Sequence, residues 1–427
     1  MGTNYSQPPR GYLYSDRSRP NPNYDGKPTP EFGSFSQLFF NNFDAEKTLT
    51  FLETKTRSYS VLDCLKISQE FERFLQSNKF SKQSKIAFYS ESTIEANLAI
   101  ICSLIIDCSI ILSSPTSQPI NDFLKSVKSQ SPHIVICSPQ YAKPVLTNLP
   151  KALLVTTAKS IHTSFHDIIN TGLAHSSNIQ PEVTSSPGTI TFLTPTPATI
   201  TFDQSMIYLR EWSEKFKLCR DARITSLLPI DDNLHRLILY LSVYNRCCFN
   251  ICNKLEEVKS TDPTHMFLPL DIFRSHCESI ENTISQNSVL YRGRYNLSYY
   301  WKRFWITWGS RTPSTDRAVF NPLCLDFGSD MRFAFCNELL TREEHELWTV
   351  VYGKPMCPVF LPEQWGNVGA SLPCDVRYTK FGTVGGAVGN AIACNEETKK
   401  LRNEADGSEI DVVGFWDEEG SLVIGEK

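Results

Sequence analysis

The sequence predicts an α/β protein in which helices cover mixed, mostly parallel sheets and a small β-rich subdomain closes the chain. Three observations lead to this prediction. Apolar runs of strand length alternate with segments of helical period between about residues 85 and 284, a pattern typical of parallel strands joined by right-handed crossovers. From about residue 373 the sequence turns glycine-rich, with short β-type runs. The length of 427 residues, 41% of them hydrophobic, exceeds what one small core needs.

The elements follow from local patterns taken in order. Residues 1–33 are rich in Pro, Asn, Ser, Tyr and Arg, which predicts an extended arm. The run Ser92-Thr93-Ile94-Glu95 matches a capping box and predicts a helix from there to about Ser103. The predicted strands are Lys85–Tyr89, Ser109–Leu112, Ile134–Cys137, Leu153–Val155, Thr189–Leu193, Ile224–Leu227, Cys248–Ile251 and Met266–Leu268. The other predicted helices are Ile120–Lys128, Gln140–Thr147, Gln204–Leu218, Asn233–Tyr244 and Ile272–Ile284. We expect a domain of two sheets over residues 34–372 and a closing β-rich subdomain over residues 373–427.

Composition excludes several classes of function. The formal net charge is −4, and no run of Lys and Arg interleaves with aromatic residues, so we expect no nucleic-acid partner. The longest apolar stretch, Leu98–Leu112, is interrupted by polar residues and predicts no membrane span. Many of the 14 cysteines lie in apolar runs, which favours buried free thiols in a reducing, cytoplasmic setting. The cluster Cys247, Cys248 and Cys252 lacks the spacing of a zinc site, so no metal is expected.

The first residues carry one targeting pattern. Met1-Gly2 followed by Ser6 fits the template for N-myristoylation, which makes Gly2 a candidate lipidation site. A single myristoyl chain binds membranes weakly. We therefore expect at most a weak peripheral contact with intracellular membranes.

Short motifs in a shared order carry a resemblance. They are Tyr89-Ser90-Glu91, Leu228-Pro229-Ile230, Tyr352-Gly353, Trp365-Gly366-Asn367-Val368-Gly369, Asp406-Gly407 and Gly414-Phe415-Trp416-Asp417-Glu418-Glu419-Gly420-Ser421-Leu422. With them, the sequence resembles the long-chain acyl-CoA synthetases, also called long-chain fatty acid–CoA ligases, of the adenylate-forming (AMP-binding) superfamily. The resemblance implies the large N-terminal domain of that superfamily as the fold.

The resemblance also implies where the functional residues should be, and several are missing. The phosphate loop would lie at Thr194-Pro195-Thr196-Pro197-Ala198, which has neither the glycines nor the lysine of the family. Tyr352 and Gly353 match the residues that flank adenine, but Pro355 and Met356 replace the threonine and the Mg²⁺-binding glutamate that follow. Asp411 is the candidate ribose contact, displaced by one residue. Since the chain ends at Lys427, we expect the lid domain with its catalytic lysine to be absent.

These losses predict a catalytically deficient homologue, a pseudoenzyme that binds a partner protein or a fatty-acyl group, without a catalytic residue or cofactor. One alternative is a reduced but active ligase using ATP, Mg²⁺ and CoA, with the lid supplied by another chain. A second alternative is a structural subunit of a larger assembly.

Two further clusters receive structural interpretations. Asp232 and His235, at the start of a predicted helix, are interpreted as a helix cap and an exposed histidine. The aromatic cluster Tyr299-Tyr300-Trp301, Phe304-Trp305 and Trp308 predicts core packing or an interface.

Overall fold

A computed structural model of the protein describes residues 5–6, 32–43, 47–81, 84–174, 189–193, 198–307, 313–324, 327–328, 330–372, 381–388, 392–395, 398–404, 407–417 and 421–425. The helices are α1 Phe35–Phe43, α2 Val61–Ser77, α3 Ile94–Ile105, α4 Ile120–Gln130, α5 Ala142–Asn148, α6 Phe165–Ala174, α7 Phe202–Met206, α8 Leu209–Lys215, α9 Asn233–Asn245, α10 Leu270–Gln286, α11 Val289–Thr307, α12 Pro313–Thr315 and α13 Arg342–Tyr352. Shorter helical turns span Pro139–Tyr141, Leu255–Thr261, Asp316–Phe320 and Glu363–Trp365. The strands are β1 Tyr5–Ser6, β2 Thr50–Glu53, β3 Ser58–Ser60, β4 Lys85–Tyr89, β5 Ser109–Ser113, β6 Ile134–Cys137, β7 Leu153–Thr156, β8 Ile190–Phe192, β9 Ala198–Ile200, β10 Arg223–Ser226, β11 Cys248–Ile251, β12 His265–Leu268, β13 Phe333–Cys336, β14 Met356–Phe360, β15 Ala370–Ser371, β16 Gly386–Ala387, β17 Ile392–Asn395, β18 Lys400–Asn403, β19 Glu409–Trp416 and β20 Leu422–Ile424.

The strands form two large sheets that are mostly parallel. The first has the order β7-β6-β4-β5-β8-β9, and only β9 runs antiparallel to its neighbour. The second has the order β16-β15-β14-β13-β12-β10-β11-β2-β3, with a parallel centre from β14 to β2. All four residues of β6 and of β12 are buried, as strands covered by helices on both faces require. The predicted α/β fold with helix-covered sheets is confirmed.

A third, antiparallel sheet contains most of the closing β-rich region. Its order is β1-β17-β18-β19-β20, so residues 5–6 of the predicted arm join it as an edge strand against β17. The strand β16 belongs instead to the second sheet, where it pairs with β15. The predicted boundary at residue 373 lies outside the described residues, as do residues 1–4 and 7–31 of the arm.

Two local predictions need correction. The helix predicted over Gln204–Leu218 is two helices, α7 and α8, because Tyr208 adopts a left-handed backbone conformation with φ of 59° between them. The capping residue of α3 is Thr93 and not Ser92, since the Thr93 hydroxyl accepts a hydrogen bond from the backbone N–H of Ala96. The Glu95 side chain, freed from the capping role, forms an ion pair with Arg57.

The helix α9 packs against residues of both large sheets. Every residue from Asn233 to Val243 is buried, so this helix is covered all round, as expected for one in the centre of a large core. Its side chains join one continuous apolar cluster with α1, α3, Trp212 of α8 and residues of both sheets, including Phe51 and Ile110. No helix among the described residues is long and apolar enough to cross a membrane.

Candidate functional site

The carboxyl ends of parallel strands bring polar residues of both large sheets together. In α/β sheets of this kind ligands bind beyond these ends, because the connecting loops there are free to present side chains. Ser114 follows β5 in the first sheet, whereas Asn337 follows β13 in the second. The segment between β10 and α9 supplies Asp231 and Asp232. Asp231 contacts Ser114 after the first sheet, and Asp232 contacts Asn337 after the second.

The two aspartates bridge the sheets in opposite directions. Asp231 accepts a hydrogen bond from the backbone N–H of Ser114 at 2.9 Å. Asp232 caps α9 by accepting from the N–H of Leu234 at 2.7 Å, and its other oxygen accepts from the Asn337 side-chain amide. Burial raises the pKa of Asp231 above its usual range and raises the pKa of Asp232 to about 6. The predicted role of Asp232 as a helix cap is confirmed.

A buried network of Asn233, Arg236 and Asn367 lies directly behind the pair. The Arg236 Nε donates to Asn233 Oδ1 at 2.9 Å, and its Nη2 donates to Asn367 Oδ1 at 2.7 Å. The guanidinium also stacks near the Tyr240 ring, 5.3 Å from its centroid. Burial lowers the pKa of Arg236 to about 10, so the group stays charged at neutral pH, with amide oxygens as its acceptors.

The run Trp365–Gly369 packs against this network and contributes Asn367 to it. The Asn367 amide donates to the backbone oxygens of Ser205 at 2.6 Å and Ile207 at 2.9 Å, and Asn233 donates to the Gly366 oxygen at 2.9 Å. Gly366 has φ of 60°, and a Cβ there would lie 2.6 Å from the Gln204 carbonyl oxygen. Only glycine fits such a position. The motif therefore joins the second sheet to the segment between α7 and α8.

His235 is buried, and the prediction that it is exposed is wrong. It is 2% exposed, with Nδ1 3.0 Å from Ser226 Oγ and Nε2 2.7 Å from Asn97 Oδ1. Burial lowers its pKa to about 3, so the imidazole is neutral and joins α9 to α3. The physical reason is that every residue of α9 from Asn233 to Val243 is buried, so no face of this part of the helix leaves the histidine in water.

The structure places Tyr352 and Gly353 away from these residues. They end α13 three residues before β14 begins, which is the amino-terminal edge of the second sheet and not its carboxyl edge. The Tyr352 ring stacks on Trp348 with centroids 4.2 Å apart, and its hydroxyl is bonded to His276. Gly353 has φ of 63° and caps the helix. The geometry gives both residues a packing role, and their contact with adenine stays a prediction.

The other predicted site residues are not brought to the carboxyl edge, or lie outside the described residues. Asp411 is on β19, where Lys400 Nζ lies 2.8 Å from its carboxylate, and its side chain is 90% exposed. Ala198 begins β9 and is buried. Gly2, Thr194, Pro195, Thr196 and Pro197 lie outside the described residues. In the part of the chain that the structure describes, no group of three or more His, Cys, Asp or Glu side chains could hold a metal ion.

Sequence reasoning missed the residues that organise the edge. Asn337 and Ser114 carry no motif, and their role depends on contacts with residues more than 100 positions away. Asn97 offers one usable signal, because an asparagine inside an otherwise apolar helix needs a buried hydrogen-bond partner. Three side-chain atoms of the edge are buried without a hydrogen bond among the described residues: Asp231 Oδ1, Arg236 Nη1 and Asn337 Oδ1.

Solved structures with the same arrangement include the luciferase-like enzyme from the nonluminescent mealworm Zophobas morio, with a TM-score of 0.67, 12% identity and coverage of 93% of this chain and 97% of that chain. The N-terminal domain of FACL13 from Mycobacterium tuberculosis matches with a TM-score of 0.67, 9% identity and coverage of 92% and 100%. ATP-bound MatB from Rhodopseudomonas palustris matches with a TM-score of 0.66, 13% identity and coverage of 91% and 78%. The chain has the fold of the N-terminal domain of adenylate-forming enzymes. The sequence matches no protein-family model and no curated protein, so the likeness is one of fold.

Proposed function

We propose that this chain is a catalytically deficient homologue of the long-chain fatty acid–CoA ligases that acts in the cytoplasm by binding a partner protein or a fatty-acyl group. The observation that carries the proposal is the composition of the carboxyl edge. It contains the buried Asp231 and the partly exposed Asp232, and the nearby arginine uses two of its donor atoms inside the protein.

Adenylation would need the opposite electrostatics. Negative charge develops on the α-phosphate during the reaction and must meet backbone N–H groups, a cation and Mg²⁺. A site with such a positive field would hold the pKa of neighbouring carboxyls down. At Asp231 and Asp232 burial outweighs any such lowering, because desolvation raises the pKa of both carboxyls.

The sequence at the phosphate-loop position supports the same conclusion. Thr194–Ala198 has no glycine for close approach to phosphate oxygens, and Pro195 and Pro197 have no N–H to donate. The fold likeness to the N-terminal domain of FACL13 favours a history in acyl activation, from which the fold and the acyl-binding capacity would be retained.

Calorimetric titration tests the proposal. Mg-ATP titrated into the folded chain should give no saturable heat up to millimolar concentration, and a long-chain fatty acid should give no pyrophosphate release in the presence of ATP. The same protein titrated with the fatty acid alone separates acyl binding from partner binding. Saturable ATP binding together with fatty-acid-dependent pyrophosphate release would overturn the proposal.

A working ligase is the second candidate, and one observation favours it. Asp231 Oδ1 and Arg236 Nη1 are buried without a hydrogen bond among the described residues, and a bound ligand would satisfy such atoms. If ATP does bind, Asp231→Asn should change its affinity, whereas Asn282→Asp on the exposed face of α10 should not.

A further inference from the structure

The outer face of α11 is a stripe of exposed apolar and aromatic side chains. Leu290, Leu297, Trp301 and Phe304 lie within about 60° of one another around the helix axis, since each residue turns the helix by about 100°. Their exposed fractions are 87%, 75%, 53% and 52%. Tyr300, at 65%, borders the stripe. We call these five residues the α11 stripe.

The opposite face of α11 is fixed rigidly to the protein. Tyr295 and Ile306 belong to a buried apolar cluster with Phe320 and Val350. Lys302 is buried, and its Nζ lies 2.6 Å from the Asp316 carboxylate and donates to the Val351 oxygen at 3.1 Å. The stripe is therefore held in place before any partner arrives, so its side chains need little reorganisation to bind.

The charge of the helix selects the kind of surface that it fits. Its sequence contains four basic residues and no acidic one. Lys302 and Arg303 form ion pairs with Asp316 and Glu346, whereas Arg294 is exposed and lies about 20° from Trp301 around the helix axis, beside the stripe. Helices with Leu, Trp and Phe on one face and Arg near it bind in the interfacial region of bilayers with anionic lipid. Trp and Tyr favour that region because their rings are apolar and their N–H or O–H is polar.

The size of the stripe argues against a second protein chain as its occupant. The stripe runs from Leu290 to Phe304, about 21 Å along the helix axis, and at a width of about 10 Å it covers about 200 Å². A stable protein interface takes about 800 Å² from each partner. A bilayer needs no such matched area, because each side chain that enters the interface gains free energy independently.

From these observations we propose that the α11 stripe is a docking surface for an anionic membrane, independent of what the carboxyl edge binds. The exposed Glu278 and Glu281 lie on the adjacent helix α10 and oppose deep entry, so binding is weak and salt-sensitive. An acyl chain at Gly2 would add to this binding but is not required for the proposal.

Vesicle flotation of the full chain tests the docking surface. The protein should float with vesicles of phosphatidylcholine and phosphatidylserine, less with pure phosphatidylcholine, and less at high salt. Leu297→Glu with Phe304→Glu should lower the apparent affinity for these vesicles about 100-fold, since each side chain contributes roughly ten-fold when buried. Ile161→Glu is the matched control, because Ile161 is 96% exposed and lies outside α11, and it should float like the wild type.

Two further measurements distinguish an anionic membrane from neutral lipid and from a second copy of the chain as the occupant. Arg294→Gln should reduce binding to phosphatidylserine vesicles and leave binding to neutral vesicles nearly unchanged. In light scattering the wild type should be monomeric. The variant with both Leu297→Glu and Phe304→Glu should therefore show no loss of self-association. Wild-type protein that fails to float, stripe variants that float like Ile161→Glu, or a dimer lost in the stripe variant would overturn the proposal.

Discussion

Replacing Asn367 with leucine is the sharpest test of the buried network behind the aspartate pair. The leucine side chain has nearly the same size as the amide, so the substitution removes hydrogen bonds and leaves little change in volume. The wild-type side chain donates to two backbone oxygens and accepts from Arg236 at 2.7 Å. Losing two neutral bonds costs about 1 kcal/mol each, and leaving a buried charge with one acceptor fewer adds about 2–4 kcal/mol. The expected loss is about 4–6 kcal/mol in the free energy of unfolding.

Urea unfolding followed by tryptophan fluorescence measures that loss. The companion variant Arg236→Met removes the charge, and the double variant removes both partners of the bond. Because the two side chains share one interaction, the double variant should lose about 2 kcal/mol less than the two single losses together. The control Asn282→Leu, on the exposed face of α10, should change stability by at most about 0.5 kcal/mol.

Two results would refute this reasoning. A loss below about 1 kcal/mol for Asn367→Leu would mean that water or relaxation satisfies the guanidinium. Additive single and double variants would mean that the 2.7 Å contact between Arg236 and Asn367 contributes no coupling energy.

Three other outcomes can be measured on the same material. Asp232 has a folded pKa of about 6 against about 3.9 unfolded, so it contributes stability below about pH 4 that is lost as pH rises through about 6. Between those pH values the wild type should lose up to about 3 kcal/mol of unfolding free energy relative to Asp232→Asn. Parallel stability curves for the two proteins would contradict this. His235, with a folded pKa of about 3 against about 6.5 unfolded, should make the wild type lose on the order of 4 kcal/mol relative to His235→Gln as pH falls from about 6.5 to about 3, seen as an earlier acid transition in circular dichroism. Gly366→Ala should destabilise the protein by about 2 kcal/mol or more, because its Cβ meets a backbone oxygen. Gly293→Ala in α11 should stabilise it by up to about 1 kcal/mol, because nothing lies within 4 Å of its Cβ. Equal effects of the two variants in thermal unfolding would refute the distinction.

The parallel strands were the most predictable part of the fold. The observed bounds of β4, β6 and β11 coincide with the predicted ones, because an apolar run of four or five residues between polar segments leaves few alternatives to a buried strand. The helix α2 went unpredicted although Ser60 and Asp63 form a complete capping box. The bend at Tyr208 could not be predicted, since a left-handed backbone at tyrosine depends on tertiary contacts and not on local preference.

The candidate site was less predictable than the fold for a physical reason. Motif reasoning finds residues whose spacing in the chain reflects a shared task, as with Asp232 at the start of α9. The partners of Asp232 and Asp231 come from loops after other strands, and only the sheet order brings Asn337 and Ser114 to them. Exposure was also out of reach for Trp301 and Phe304, because an aromatic-rich helix gives the same pattern when it packs in a core.

From the two surfaces together we propose a protein that binds without turning over a substrate. At the carboxyl edge, the run Trp365–Gly369 resembles a family motif. Its Asn367 amide nevertheless donates both hydrogen bonds to the backbone oxygens of Ser205 and Ile207, and a side chain at Gly366 would clash with the Gln204 carbonyl oxygen. In that proposal the motif persists because the packing that it supports is still needed. The α11 stripe is different, because its five apolar side chains are half or more exposed although Trp301 and Phe304 contact the Trp305 ring. Exposed apolar surface of this kind promotes aggregation. The retention of these side chains is explained if the stripe is the docking surface proposed above.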